Sequence, residues 1–135
     1  YYQGNPVLDI ESTEFRDPTV FYYEPTKKWI MVVAKALEKK VKFYSSSDLK
    51  KWEWMSDFGP AGNEERAWEC PDLFQLSVDD NPLNKKWVLV VSINWNKEQY
   101  FIGNFDGKEF KLIENHPKEA LYVRQRSGLL CLTHL

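Results

Sequence analysis

Lys27-Lys28-Trp29-Ile30-Met31-Val32-Val33 is answered 58 residues later by Lys85-Lys86-Trp87-Val88-Leu89-Val90-Val91. The same offset continues without a gap: Lys39 falls on Lys97, Phe43 on Phe101, Asp48 on Asp106, Lys50 on Lys108 and Trp52 on Phe110. Nine of the 29 positions from Lys27 to Met55 are identical, and seven of the others exchange one apolar residue for another. Upstream, Asp17-Pro18-Thr19-Val20-Phe21 parallels Cys70-Pro71-Asp72-Leu73-Phe74 at an offset of 53, so the second unit is five residues longer in its first hairpin. Self-similarity at a fixed period marks a repeat architecture, and here it predicts a duplicated unit.

Each unit reads as four short strands, rich in β-branched and aromatic residues and separated by turn residues. The first set is predicted at Thr19–Tyr23, Trp29–Ala34, Lys40–Tyr44 and Trp52–Met55, with turns at Glu24-Pro25-Thr26 and Ser46-Ser47-Asp48. The second is predicted at Leu73–Val78, Trp87–Ile93, Gln99–Phe105 and Glu109–Ile113, with turns at Asp79-Asp80-Asn81-Pro82 and Asp106-Gly107. Asp-Gly between strands is a strong hairpin signal. Residues 34–40 are good helix formers, but their counterpart contains Asn94, Trp95 and Asn96 and reads as a hairpin loop. Four-stranded units in series suggest propeller blades, whose innermost strands line a central channel. The prediction is an all-β chain of about two blades, too few to close a ring and expected to leave apolar blade faces bare. A two-sheet sandwich is the competing architecture.

Composition excludes several other classes. Lys and Arg number 18 against 20 Asp and Glu, and 16% of residues are aromatic. No stretch approaches the ~18 to 20 apolar residues of a membrane span, and no basic block beyond Lys pairs suggests nucleic acid. Two cysteines are too few for a disulfide scaffold. Neither metal nor cofactor is expected, and His116 reads as a surface residue.

The segment leading into each unit's first strand carries an acid: Phe15-Arg16-Asp17-Pro18 and Trp68-Glu69-Cys70-Pro71. Two acids brought by adjacent blades to one channel are what sugar chemistry uses, one donating a proton and one stabilising developing positive charge. The alternative is that Asp17 caps a turn and Glu69 is a solvated acid following Glu64-Glu65. Trp29, Trp52, Trp87 and Phe110 recur at the repeat offset and are assigned to blade packing. Trp68 and Trp95 fall outside the pattern and are the candidates for sugar contact.

These motifs, together with Gly4-Asn5-Pro6-Val7-Leu8, Trp87 to Asn94 and Gln99-Tyr100-Phe101-Ile102-Gly103, closely resemble glycoside hydrolase family 32, the invertases, inulinases and levanases. The resemblance spans residues 1 to about 123. It implies part of a five-bladed propeller, truncated at both ends and followed in the whole enzyme by a β-sandwich. It also implies retaining hydrolysis of β-fructofuranosyl bonds in sucrose or fructans. Carried over, Glu69 is the general acid/base, a role for which an apolar setting is expected from the flanking Trp68 and Pro71. Asp17 is the transition-state stabiliser, and Arg16 binds substrate alongside it. The family's nucleophile sits in an Asn-Asp-Pro motif that does not occur in these residues, so the isolated chain is expected to be inactive. Trp95-Asn96-Lys97-Glu98 lacks the glycines usual there. A non-catalytic sugar-binding module and a nonfunctional gene fragment are the alternatives. Relatives are often secreted, but no signal peptide or Asn-x-Ser/Thr sequon occurs here.

Residues 124–135 depart from the family. Codons permitted for Arg124 to Leu135, shifted by one base, read Asp-Asn-Gly-Leu-Asp-Tyr-Tyr-Ala-Ser-His-Ile, the continuation expected of the family. The expectation is a frameshift after Val123, which leaves Cys131 and His134 without chemistry. The genomic sequence decides it.

Overall fold

The computed structural model describes residues 1–78, 81–94, 97–113 and 121–124, with backbone alone at 94 and 121–124. Strands β1 (Phe15–Tyr23), β2 (Lys28–Lys35), β3 (Lys40–Ser46) and β4 (Glu53–Phe58) form an antiparallel meander in the order β1-β2-β3-β4. Strands β5 (Glu69–Val78), β6 (Asn81–Asn94), β7 (Lys97–Phe105) and β8 (Phe110–Leu112) form a second meander. A ninth strand, β9 (Leu121–Arg124), pairs with β7 through Tyr100↔Leu121 to Lys97↔Arg124. Because β8 pairs only with Gly103 to Phe105, β8 and β9 divide the outer edge that β4 covers alone in the first sheet.

The innermost strands begin earlier than their apolar cores predict, because a bulge carries the pairing through both proline segments. Arg16 pairs with Ala34 and Thr19 with Val32, leaving Asp17 and Pro18 opposite Val33 alone. Glu69 pairs with Ser92 and Asp72 with Val90, leaving Cys70 and Pro71 opposite Val91. A bulge is where a strand tolerates a residue without an N–H. The segment 34–40 contains one 3-10 turn, Ala36–Glu38, ended by Lys39 in the left-handed conformation at φ 51°. Its Ala and Glu thus form a single turn inside a hairpin connection, too short to nucleate a helix.

The repeat holds at its turns but slips within it. Asp48 Oδ1 accepts from the Lys50 and Lys51 N–H groups at 2.9 Å. Asp106 Oδ1 accepts from Lys108 and Glu109 at 2.8 Å, the same positions relative to the aspartate. Between the turns the register differs by one residue, since Val32 pairs with Phe43 whereas Val90 pairs with Tyr100, not Phe101. A one-residue slip exchanges the faces of a strand. Phe43 and Phe101 therefore both enter the single core between the sheets.

That core holds Ile30, Val32, Val41 and Phe43 from the first sheet against Leu73, Leu89, Val91, Phe101 and Phe110 from the second, with Phe58 and Trp68 between them. Burying Leu89 completely contributes about 1.5 to 3 kcal/mol. Trp87 and Phe110 pack into this core, whereas their repeat partners behave differently. Trp52 packs with Met31, Val33, Tyr44 and Leu8 on the far face of the first sheet, and Trp29 meets Tyr22 edge-on at 5.2 Å. The expected bare face is thus largely covered: Met31, Val33 and Tyr44 are each under 9% exposed.

Candidate active site

The bulges decide where the two acids lie. Asp17 and Cys70 are the first bulge residues of β1 and β5, and both adopt left-handed backbone, at φ 59° and 47°. Asp17 is thus structurally equivalent to Cys70, and Glu69 to Arg16. The four residues interlock across the two innermost strands. Arg16 donates from Nε and Nη2 to Glu69 Oε1 at 3.2 and 3.1 Å. The Cys70 N–H donates to Asp17 Oδ2 at 3.1 Å, and the Cys70 thiol approaches the same oxygen at 3.7 Å. Lower on the strands, the Thr19 hydroxyl donates to the Pro71 carbonyl at 2.9 Å. An acid from each sheet therefore arrives at the same end of neighbouring strands.

A third carboxylate joins them. Arg16 Nη1 donates to Glu14 Oε2 at 2.8 Å, so one guanidinium serves two acids with separate edges of its fork. Its pKa is raised, first by the Glu14 hydrogen bond and then by Glu69, which keeps the cation fixed. Arg16 is 33% and Glu69 48% exposed, and a pair so accessible contributes about 0 to 1 kcal/mol. The bond therefore orients Glu69 more than it stabilises the fold. The Cys70 thiol is pushed up, first by partial burial and then by the charge of Asp17. It stays protonated and can donate to that carboxylate.

The sequence expectations fare unequally. Arg16, Asp17 and Glu69 are brought together. Trp68 is not a sugar platform: it is 0% exposed, lies 5.5 Å from the Phe101 ring and 6.3 Å from Phe58, and spends its indole N–H on the Asn63 carbonyl at 2.9 Å. With no ring face open, it cannot stack on a ligand. The apolar setting expected for Glu69 is also absent, because the Trp68 and Pro71 rings are buried in the core while the carboxylate faces Arg16. Trp95 and His116 lie outside the described residues, as do Cys131 and His134.

Sequence reasoning missed Glu14. It lies in the turn just ahead of β1, closed by the Phe15 N–H on the Ser12 carbonyl, so no strand alternation marked it as a neighbour of Arg16. Asn63 and Gln99 were also missed: Gln99 Oε1 accepts from the Asn63 N–H at 2.9 Å, a contact between distant segments that local patterning does not carry.

Two blade-like sheets that present paired carboxylates and a bridging arginine on neighbouring inner strands fit a glycoside-hydrolase type of β-propeller. Residues 1–122 match the Glycosyl hydrolases family 32 N-terminal domain, and the chain belongs to that family. It is 43% identical over 123 residues to Invertase 1 of Saccharomyces cerevisiae, covering 87% of this chain and 23% of the relative. It is 46% identical over 130 residues to the levanase of Bacillus subtilis (strain 168), covering 90% and 19%. Among solved structures, the fructofuranosidase from Schwanniomyces occidentalis complexed with fructose aligns with a TM-score of 0.82 at 36% identity, over 90% of this chain and 24% of that one. The chain spans about a fifth to a quarter of the length of these relatives. The family and these relatives are glycoside hydrolases, and the two sheets are blades of its propeller.

Proposed function

We propose that this domain supplies the general acid/base and the transition-state stabiliser of an enzyme that hydrolyses β-fructofuranosyl bonds in sucrose or fructans with retention. The observation that carries the reading is the bridge from Arg16 to Glu69 between adjacent inner strands, beside the bond from Cys70 N–H to Asp17. Glu69 protonates the glycosidic oxygen as the bond breaks and then takes a proton from the attacking water. Asp17 accepts hydrogen bonds from fructose hydroxyls, tightening as positive charge develops on the ring. Arg16 holds Glu69 in place and, at 33% exposed, lies within reach of substrate. Trp95 remains the candidate for stacking on a sugar.

Retaining hydrolysis places a nucleophilic carboxylate about 5 to 5.5 Å from the acid. That carboxylate is expected from the family's Asn-Asp-Pro motif, and the resemblance gives Asp17 the separate role of stabiliser. The remaining blades and the sandwich of the whole enzyme are the domain's partners on this reading. The Val123 frameshift also stands as a proposal.

The test is fructose release from sucrose, inulin and levan. The isolated chain should release none. Grafted in place of the matching segment of the Bacillus subtilis levanase, it should restore turnover, and Glu69→Gln in that graft should lower kcat by about 10² to 10⁴-fold. Near-normal turnover by the graft carrying Glu69→Gln would remove Glu69 from the mechanism.

A further inference from the structure

Glu69 stands between two anchors that the reaction itself does not explain. The residue before it is held by its backbone, the Trp68 N–H donating to the Ala36 carbonyl at 3.1 Å, while the Ala36 N–H donates to the Glu14 carbonyl at 2.8 Å. The single residue Ala36 thus ties the neighbour of Glu69 to the neighbourhood of the acid that holds Arg16. With the side-chain bonds of Arg16 to Glu14 and Glu69, these contacts close a ring around the proton donor.

The second anchor is buried. The Trp68 indole N–H closes the 63–68 loop onto the Asn63 carbonyl, and the Asn63 N–H ends on Gln99 Oε1 of β7, each at 2.9 Å. Gln99 is 0% exposed, and its Nε2 has no partner among the described residues. A buried amide with one group unsatisfied is unfavourable beside an apolar side chain of the same size. Fold stability is therefore a poor reason for an amide here; the hold on Asn63, and through it on Trp68, is a better one.

We infer that Gln99 and Trp68 are positioning residues that fix the backbone entering Glu69 and Cys70. The inference rests on Glu69 being the acid/base only for its effect on turnover. Its geometric content is independent, because the Cys70 amide, bonded to Asp17 Oδ2, reports the placement of that backbone directly.

The first measurement is hydrogen exchange at single amides of this chain. Gln99→Leu keeps the volume and removes the acceptor; Trp68→Phe keeps an aromatic ring and removes the indole N–H. Both should speed exchange of the Cys70 amide by about tenfold or more while Val90, in the ladder of β6, changes little, as local opening requires. Gln99→Glu retains an oxygen facing Asn63 and should restore slow exchange. Unchanged Cys70 exchange in both variants overturns the inference, and so does equal acceleration at Cys70 and Val90, which marks general loosening. In the levanase graft, Gln99→Leu should lower kcat by about tenfold with KM nearly constant, the signature of a misplaced catalytic group. Wild-type kcat in that variant, where Glu69→Gln is inactive, overturns the inference. An active Glu69→Gln graft instead overturns the acid/base reading and leaves the exchange result to decide the positioning.

Discussion

Asp48 and Asp106 occupy the same place in the two blades, each gathering two backbone N–H groups into one carboxylate oxygen. Both are held below the usual carboxylate range, Asp48 chiefly by the Lys51 and Lys50 amides and Asp106 first by Glu109. A carboxyl whose pKa is lower folded than unfolded stabilises the fold above its unfolded value, near ~4, and loses that contribution as pH falls through the folded value. The urea midpoint of the wild type should therefore fall as pH is lowered from about 5, and fall less steeply in Asp48→Asn/Asp106→Asn. Parallel midpoint curves would show that the carboxylate charge is irrelevant to these turns. Gly59 makes a sharper case. Its φ is 101°, and an added Cβ would meet the Lys39 carbonyl oxygen and lie 2.9 Å from the Trp68 ring. Gly59→Ala should cost about 2 to 4 kcal/mol, from backbone strain together with overpacking, measured by urea unfolding. Asp48 and Asp106 were legible in the sequence as turn residues. The burial of Trp68 was not, because a tryptophan beside a motif acid looks the same whether its ring faces a sugar or Phe101.

At the scale of elements, the inner-strand bulge is what the duplicated units share most closely at the site. Left-handed backbone at Cys70 is tolerable for glycine and poor for a β-branched side chain. Cys70→Val should lower stability by about 1 to 2 kcal/mol and Cys70→Gly by little, a contrast readable in thermal melts of the two variants. Equal losses would mean that the side chain, not the backbone angle, governs the position. Most strands were legible because Trp-apolar runs bounded by Pro, Asp and Gly leave few other readings. The slip between β3 and β7 was hidden by the identities flanking it. Phe43 and Phe101 match at the constant offset, as do Asp48 and Asp106 beyond, so nothing in the alignment reveals that the paired ladders differ by one residue. The bulges were equally silent: proline was read as a strand boundary, whereas here it is carried inside the strand opposite a single partner residue.

At the scale of the whole molecule, the two blades are joined by an aromatic cluster at the end of the inner strands away from Asp17. The Phe105 ring lies 5.3 Å from Trp87, 5.5 Å from Tyr23, 5.6 Å from Phe43 and 6.3 Å from Phe21. Three of these four partners come from the first sheet, so Phe105 is a joint between blades as well as a core residue of its own. Phe105→Ala leaves a cavity where both sheets meet and should cost about 3 to 5 kcal/mol. Phe105→Leu retains most of the volume and should cost less, because volume-conserving apolar changes are better tolerated. If the sheets fold as one cooperative body, both variants unfold in a single urea transition with an unchanged slope, and only the midpoint moves. Far-ultraviolet circular dichroism and tryptophan fluorescence then give the same curve. Two separated transitions in Phe105→Ala would show instead that each blade holds together without its neighbour, and that the alignment of Glu69 with Arg16 depends on this aromatic joint at the opposite end of the strands.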